Sequence, residues 1–478
     1  MAHVVVAGGG PAGLATALAL AGGGHRVTVL ERGSPPPPGP AAQAGARWER
    51  PTAPQTGHSH TVTSLGVRVL ARRAPEVLAA LVRAGATVLD LTGAAPGGAQ
   101  APPDPGDADL RALACRRATF DVVLHRHVSA LPGVEVRHGE RVLGLLTSPS
   151  GDRVAGVRAD TGDLPADLVV DATGKRALGR RWLAALGVEP AADLVAPSSV
   201  SAYARFYRAH GGPGPLNRGN AAGVLGDHCA CVLHPGDNGT FSIAFGVLPG
   251  DDGLRGLRDP GAFDAAARAV PWVGRWLELG ATPITPVRVI TCPSNSVRAT
   301  ALAPPLAGLL PVGDSACVTD PLFGRGLSLL LAHAFRLADL VAAHPDLGRG
   351  LSGAAATSAA ELLLPWYRQA EQEGRDRATR WRAAAEGVPP TGAVTTPLRA
   401  AGAVAGRDRS LWRGVTRVLM GLDTPDEVFG DAGFAARVRQ ELAAAPPAPT
   451  PGIPSRAELM AATGPEVSES AHAGSSPR

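Results

Sequence analysis

The sequence predicts an α/β fold in which a parallel sheet is combined with an antiparallel sheet and a C-terminal helical region. Three observations support this prediction. The chain opens with a strand, a glycine-rich turn, a helix and a second strand; short strands with Gly/Asp-rich turns occupy residues 200–291; and helical patterns follow residue 346. A chain of 478 residues has room for several such units.

The first element is a dinucleotide-binding fingerprint. His3–Ala7 predicts a strand buried on both faces, and the turn Gly8-Gly9-Gly10-Pro11-Ala12-Gly13 follows it directly, before a helix, a second strand and Glu31. Gly8 allows the tight turn, Gly10 lets the backbone approach a pyrophosphate, and Gly13 packs the helix against the strand. Glu31 can accept hydrogen bonds from ribose hydroxyls. This Rossmann-like context favours a nucleotide site over a plain glycine-rich turn.

A second glycine-rich element, far along the chain, indicates FAD rather than NAD. Leu309–Asp314 predicts a buried strand ending in Gly313-Asp314, and Asp320–Gly326 leads into a helix from about Leu327. A carboxylate at the end of a strand can hold the ribityl hydroxyls of a flavin, and Gly324 and Gly326 let the backbone lie against its rings. The helix start directs N–H groups toward the ring edge that is negative in reduced flavin. The alternative is a helix N-terminus with ordinary turn residues.

These segments resemble the FAD-dependent monooxygenase superfamily of the p-hydroxybenzoate hydroxylase fold. The matching motifs are Gly8–Gly13 with Glu31-Arg32, the sequence Asp171-Ala172-Thr173-Gly174, and Gly313-Asp314 with Pro321 and Gly324-x-Gly326. The resemblance implies FAD as cofactor, O2 as oxidant, and NAD(P)H as electron source, directly or through a separate flavin reductase. A flavin C4a-hydroperoxide would then transfer one oxygen atom to a small organic substrate from secondary metabolism.

A finer resemblance points to one group within the superfamily. Arg50–Gln55, with His58 and His60, is similar to the R-x-G-V-P-Q-x-x-H-x-H segment of flavin epoxidases that act in polyether-antibiotic biosynthesis, although Thr52-Ala53 replaces Gly-Val. It implies that Arg50 and Arg117 contact FAD. His58 and His60 become the catalytic candidates, as proton donors or substrate hydrogen bonders; a structural pair is the alternative. Epoxidation is therefore preferred over hydroxylation.

These arguments define the predicted domains. The FAD-binding domain is discontinuous and comprises residues 1–75, 110–187 and 285–345, whereas residues 76–109 and 188–284 form an antiparallel substrate domain. Residues 346–445 form a helical region and 446–478 a disordered tail. Val142–Thr147, Arg153–Arg158 and Leu164–Val170 predict a three-stranded antiparallel layer. The predicted cofactor-binding residues are Gly8, Gly10, Pro11, Ala12, Gly13, Glu31, Arg32, Arg50, Arg117, Val142, Gly313, Asp314, Pro321, Gly324, Gly326 and Leu327.

Other enzyme classes share the same predicted FAD site. Asp320-Pro321-Leu322-Phe323 looks like flavin-dependent halogenases, but the chain has no Trp-x-Trp-x-Ile motif. Its single lysine, Lys175, lies in the D-A-T-G segment rather than in a tunnel beside the flavin. A halogenase and a flavin reductase or dehydrogenase stay open as alternatives. A cyclase that uses FAD only as a scaffold is a third.

Composition and charge exclude several classes. The 46 Lys+Arg and 42 Asp+Glu residues are interspersed, so no nucleic-acid partner is expected. Five scattered cysteines argue against a disulfide scaffold, and Cys229-x-Cys231 lacks the second pair that a metal site needs. The apolar run Leu327–Ala343 is interrupted by charged residues, so no integral membrane segment is expected. No basic leader precedes the first strand, which predicts a cytoplasmic protein.

Overall fold

A computed structural model describes residues 1–97, 104–390, 395–444 and 452–464. The strands within these ranges are β1 (His3–Ala7), β2 (Arg26–Glu31), β3 (Thr87–Asp90), β4 (Arg111–Ala114), β5 (Val134–His138), β6 (Val142–Thr147), β7 (Val154–Ala159), β8 (Gly162–Pro165), β9 (Leu168–Asp171), β10 (Leu194–Ala196), β11 (Ser201–Ala209), β12 (Ala222–Leu225), β13 (Ala230–Pro235), β14 (Thr240–Val247), β15 (Ala281–Pro283), β16 (Arg288–Thr291), β17 (Asn295–Val297), β18 (Leu309–Pro311) and β19 (Cys317–Val318). The helices are α1 (Pro11–Gly22), α2 (Ala41–Arg47), α3 (Ser64–Arg73), α4 (Pro75–Arg83), α5 (Arg117–Ser129), α6 (Leu178–Ala185), α7 (Pro260–Ala269), α8 (Pro271–Glu278), α9 (Ala299–Leu302), α10 (Gly326–Ala343), α11 (Arg349–Glu386), α12 (Pro397–Val404), α13 (Arg409–Leu419), α14 (Pro425–Phe429), α15 (Ala432–Ala444) and α16 (Arg456–Thr463).

The first sheet is parallel, with strand order β18-β9-β1-β2-β5. Its central strands are continuous apolar runs because both faces are covered. Helices α1, α5 and α10 supply side chains to the core on one face, and the layer β6-β7-β8 supplies them on the other. The predicted Rossmann-like unit is confirmed, and the carboxyl ends of β1, β2 and β9 meet at one edge of the sheet.

The small antiparallel layer differs in one strand from the prediction. Strands β6 and β7 pair as expected, but the third strand, β8, ends at Pro165. The residues after it, Leu168–Asp171, pair with β1 and β18 in the parallel sheet instead. All four are buried, and only a central position in the larger sheet covers both faces of such a run.

The second sheet is antiparallel, with order β12-β13-β14-β11-β15 and β16 also paired to β11. Its strands alternate between two faces. Aromatic and large aliphatic residues, including Tyr203, Phe241 and Phe245, form a core with α7 and α8 on one face. The opposite face carries small residues and is open toward the first sheet. An α/β fold with a parallel sheet, an antiparallel sheet and C-terminal helices is therefore confirmed.

Helix α4 packs with the parallel sheet. Val77 and Leu81 belong to the same core cluster as α1 and α10, whereas the sequence-based boundaries place residues 76–109 in the substrate domain. The remaining domain boundaries stay predictions.

The C-terminal tail contains structure that the sequence did not predict. The predicted disorder of residues 446–478 is wrong for α16, while residues 446–451 and 465–478 lie outside the described residues. Ser455 and Glu458 form a capping box at the start of α16. Leu459 is buried in the core of the antiparallel sheet, and Arg456 forms an ion pair with Asp251. One buried leucine and one ion pair fix this helix in a segment whose composition is otherwise typical of disorder.

Helix α10 is the one helix among the described residues that is long and apolar enough to cross a membrane. Two thirds of its 18 residues are buried inside the protein. Its leucines pack against α1 and α3 in the first core, as expected for the central helix of a globular core.

Candidate functional site

A cavity of about 430 Å³ lies between the carboxyl edge of the parallel sheet and the small-residue face of the antiparallel sheet. Both predicted histidines, His58 and His60, line it. So do most of the predicted cofactor-binding residues: Gly8, Gly10, Pro11, Ala12, Glu31, Arg32, Arg50, Arg117, Val142, Asp314, Pro321, Gly324, Gly326 and Leu327. The other two, Gly13 and Gly313, are not among the residues that line the cavity. The structure therefore brings segments that are about 300 residues apart in sequence into one cavity.

The fingerprint turn can be built only with glycine at two positions. Gly8 has φ of +113°, and a Cβ there would lie 2.4 Å from the Ala172 carbonyl oxygen. A Cβ on Gly13 would lie 1.9 Å from the carbonyl oxygen of Gly8. At Gly10 the situation is the reverse, because the nearest atom to a Cβ is the Arg50 guanidinium, at 3.9 Å. The space over the start of α1 is open, as a phosphate bound by the free N–H groups there requires.

Glu31 is held in place by backbone amides. Its two carboxylate oxygens accept hydrogen bonds of 2.7 Å from the N–H groups of Gly9 and Gly33. A carboxylate has about four lone-pair positions, so two remain for a ligand in the cavity. This arrangement fits the two hydroxyls of a ribose.

Two arginines place positive charge on the cavity wall beside the fingerprint. The Arg50 guanidinium donates to Asp121 at 2.7 Å and lies 4.5 Å over the ring of Trp48. Arg117 donates to the other oxygen of Asp121 at 2.6 Å. The Asp121 side chain is fully buried, so one acid orients both arginines and leaves a net positive charge near Gly10. A pyrophosphate would balance it.

At the far end of the cavity, the Asp314 carboxylate accepts no hydrogen bond from any of the described residues. Burial raises the pKa of Asp314, against the opposing effects of Arg117, Lys175 and Arg298. Gly313 has φ of +63°, and a Cβ there would lie 2.6 Å from the Cβ of Ala12 in the fingerprint helix. A carboxylate facing a cavity without a donor is suited to a ligand that carries hydroxyl groups.

The D-A-T-G segment contributes wall residues that the sequence analysis did not assign to the site. Thr173, Gly174, Lys175 and Arg176 line the cavity. Asp171 does not, because its buried carboxylate accepts hydrogen bonds from Thr173 and Gly179 and holds the turn after β9. The motif match itself was the signal that could have placed these residues at the site.

A second group of cavity-lining residues that the sequence analysis did not predict lies on the antiparallel sheet. Its members are mostly small or aliphatic residues on the cavity-facing side of β11, β13 and β14, or next to them: Val200, Ala202, Ala204, Val232, His234, Ala244 and Gly246. Together they form an apolar wall opposite the fingerprint, which a predominantly apolar ligand would match.

His58 and His60 are uncharged at neutral pH. Burial, reinforced by the charge of Arg288, lowers the pKa of His58 to about 4. Burial, reinforced by Arg117, lowers the pKa of His60 to about 3. Neither side chain can serve as a cationic acid at pH 7. Of the two predicted roles, proton donor and substrate hydrogen bonder, the second is left, through neutral imidazoles.

The low pKa of His60 gives a pH-dependent difference in stability. Below pH 6.5 the unfolded chain binds a proton at this histidine that the native state does not bind until about pH 3, so native stability falls as pH decreases. His60→Gln lacks this titration. The wild type should therefore lose about 1.4 kcal/mol per pH unit relative to the variant between about pH 6 and 4. Urea unfolding of both proteins at several pH values measures this. Parallel pH profiles would contradict the assigned burial of His60.

Cys229 and Cys231 are buried in the apolar core of the antiparallel sheet. Burial raises the pKa of Cys229 to about 12 and also raises the pKa of Cys231 well above its ordinary value. Within the ranges that the structure describes, no three His, Cys, Asp or Glu side chains are grouped so that they could hold a metal ion.

The fold is shared with solved structures of FAD-dependent monooxygenases and flavin-dependent halogenases. No family model and no curated protein matches the sequence, but solved structures match the fold. PqsL of Pseudomonas aeruginosa, a probable FAD-dependent monooxygenase, is 17% identical with a TM-score of 0.61, over 81% of this chain and 100% of PqsL. The flavin-dependent brominase Bmp2 is 18% identical with a TM-score of 0.59, over 92% and 98% of the two chains. The Diels-Alderase PyrE3 of pyrroindomycin biosynthesis is 18% identical with a TM-score of 0.54, over 88% and 80%.

Proposed function

We propose that the protein is an FAD-dependent monooxygenase that inserts one atom of O2 into a small, mainly apolar organic molecule. The observation that carries this proposal is the continuity of the cavity. A single space runs from Gly10 and Glu31, past Asp314 and Gly326, to the apolar face of the antiparallel sheet. A cofactor and a substrate would therefore share one enclosure.

Different residues of the cavity would bind different parts of the cofactor. Glu31 would bind the adenosine ribose, the start of α1 with Arg50 would bind the pyrophosphate, and Asp314 would accept hydrogen bonds from the ribityl chain. The start of α10, at Gly326, would direct N–H groups at the flavin ring. When bound and reduced, FAD supplies the reactivity toward O2 that no side chain provides.

The apolar wall would hold the substrate and keep water out. Ala202, Ala204 and Ala244 leave space where larger side chains would fill the cavity, and Val232 and Ile290 add aliphatic surface. Exclusion of water protects a reactive oxygen species from hydrolysis and side reactions. Epoxidation rather than hydroxylation, a secondary-metabolite substrate, NAD(P)H as donor and a cytoplasmic location stay predictions from the sequence.

The test is an isotope experiment with the FAD-loaded protein. Purified protein should be yellow and should oxidise NAD(P)H, alone or with an added flavin reductase, in response to a small alkene. Under ¹⁸O₂ the product should contain one heavy oxygen atom. Protein that stays colourless with excess FAD, or product without ¹⁸O, would refute the proposal.

The same assay separates the other classes. Incorporation of chloride or bromide would identify a halogenase, in line with the fold shared with the brominase Bmp2. NAD(P)H-dependent saturation of the alkene without oxygen incorporation would identify a reductase. Turnover with oxidised flavin and no O2 would identify a cyclase, the kind of activity named for PyrE3.

A further inference from the structure

Two imidazoles are joined by a hydrogen bond beside the fingerprint. Nε2 of His125, in α5, lies 2.8 Å from Nε2 of His138, the last residue of β5. His138 lies opposite Glu31 in the register of β5 with β2, at the carboxyl edge of the parallel sheet. Glu31 lines the cavity, whereas the two histidines are not among the residues that line it. Any effect of this pair on a ligand must therefore pass through residues that do.

The neighbours of the pair determine the direction of its hydrogen bonds. Nδ1 of His138 lies 3.0 Å from the carbonyl oxygen of Gly33, which can only accept, so this nitrogen carries a proton. Burial, reinforced by His138 and Arg50, lowers the pKa of His125 to about 4, so the His125 ring is neutral at pH 7. Its single N–H, on Nε2, is then donated to the lone pair on Nε2 of a neutral His138. One proton serves one acceptor in each of the two bonds.

Gly33 connects the pair to Glu31. Its carbonyl oxygen accepts the hydrogen bond from His138, and its N–H donates to one carboxylate oxygen of Glu31 at 2.7 Å. The two bonds hold the peptide groups on both sides of Gly33. The second oxygen of Glu31 accepts from the N–H of Gly9 at 2.7 Å. The orientation of the Glu31 carboxylate at the cavity therefore depends on His138 as well as on the fingerprint turn.

The other ring of the pair supports Arg50. The His125 ring meets the Trp48 indole edge to face, with the ring centroids 5.8 Å apart. The Arg50 guanidinium lies 4.5 Å over the same indole and lines the cavity. The indole N–H donates to the carbonyl oxygen of Ser34 at 3.0 Å, which fixes the ring between the histidine and the arginine. Each imidazole is thus linked, through one intermediate residue, to a charged side chain on the cavity wall.

We propose that His125 and His138 are positioning residues for the adenosine half of FAD, which they orient through Glu31 and Arg50. This inference rests on the proposed function, in which Glu31 binds the adenosine ribose and Arg50 helps to bind the pyrophosphate. The flavin half would be held at the far end of the cavity, around Asp314. Loss of the pair therefore weakens FAD binding without removing any group that contacts the cofactor.

The first test changes His138 alone. His138→Leu removes both hydrogen bonds of this ring, and apoprotein prepared from the FAD-loaded variant should bind FAD about tenfold more weakly than the wild type does. His138→Asn places an amide N–H near the position of Nδ1, where it can donate to Gly33, whereas His138→Gln places it near the position of Nε2. The asparagine variant should recover most of the affinity and the glutamine variant little of it. Binding is followed through the change in flavin fluorescence.

The second test asks whether the effect passes through Glu31. In a Glu31→Ala background no carboxylate is left to orient, so His138→Leu should weaken FAD binding there by less than about twofold. His125→Leu should keep part of its effect in the same background, because that ring also supports Arg50. A loss of affinity from general destabilisation would be the same with and without Glu31.

His3→Leu is the matched control. His3 belongs to the same parallel sheet and forms a hydrogen bond of 3.0 Å with the Thr28 hydroxyl, but it lies at the amino end of β1, away from the cavity edge. This variant should bind FAD as the wild type does. Urea midpoints are measured for all variants, and if His138→Leu does not fold, the asparagine and glutamine variants decide the question.

The outcomes separate this proposal from the proposed function. A wild-type protein that stays colourless with excess FAD would refute the proposed function. If the wild type is yellow, equal FAD affinities of the wild type and the His138→Leu and His138→Gln variants would refute only the positioning role. The same holds for a His138→Leu effect that is equally large with and without Glu31, and for asparagine and glutamine variants of equal affinity.

Discussion

Valine at position 10 is expected to abolish FAD retention without unfolding the protein. Gly10 precedes α1 with an extended backbone, φ of −77° and ψ of 177°, which valine adopts readily. The nearest atom to its Cβ is the Arg50 guanidinium, at 3.9 Å, so no backbone atom is displaced. The new side chain instead occupies the space over the helix start. FAD affinity should fall by roughly a hundredfold or more, because the pyrophosphate can no longer reach the N–H groups.

Gly22→Val is the matched control, since it puts the same side chain at the other end of α1, where nothing lies within 4 Å of a Cβ. It should purify as yellow as the wild type. The flavin content per protein and the urea midpoint are measured for both variants. A Gly10→Val protein that keeps its full complement of FAD would show that the cofactor does not lie over this helix.

Removal of the Asp237 carboxylate is expected to give the largest loss of stability, about 3–5 kcal/mol. Asp237 is fully buried in the turn between β13 and β14. It accepts hydrogen bonds from Arg116 (backbone N–H at 2.8 Å, guanidinium at 2.6 and 3.0 Å), from the Thr119 hydroxyl and from the Asn238 amide. Arg116 and Thr119 belong to the start of α5. Asp237→Ala therefore leaves a mostly buried guanidinium without a partner, at the junction of the two sheets.

Asp163→Ala serves as the comparison for this prediction. Asp163 pairs with Arg158 at 3.6 Å, and both side chains are about 60% exposed. Its removal should change the free energy of unfolding by less than about 1 kcal/mol. Urea unfolding of both variants tests the difference. Equal midpoints for Asp237→Ala and Asp163→Ala would mean that the junction contributes nothing to global stability.

The fingerprint could be predicted from sequence because its geometry is local. Gly8, Gly10, Gly13 and Glu31 belong to one β–α–β unit, in which the spacing of the residues fixes their relative positions. The second element, at Asp314, was found in the same way, from a strand that ends in an acid before a helix. The positions of Arg50 and Arg117 came from the family resemblance alone, since Asp121, which orients both, is joined to Arg50 across 71 residues.

The substrate wall was not predictable at the level of residues. Which face of β11, β13 and β14 meets the cavity depends on strand pairing, and a shift of one residue would exchange the faces. Tyr203 and Ile243 pack in the core, while their neighbours Ala202, Ala204 and Ala244 face the cavity. Because both faces are largely apolar, hydropathy does not distinguish them. The alternation of small with aromatic residues was the available signal.

The C-terminal tail was predicted incorrectly for a different reason. Leu459 and Arg456 anchor α16 through contacts with residues about 200 positions earlier. The amino-acid composition of a segment does not reveal such individual long-range contacts. A segment rich in proline and alanine was therefore predicted to be disordered.

The exposed position of Lys175 on the cavity rim has a practical consequence. Because the chain contains no other lysine, amine-directed chemistry can modify one side chain besides the N-terminal amine. A fluorophore or an immobilisation linker coupled there would sit at the mouth of the enclosure and report ligand entry directly, without any engineered cysteine.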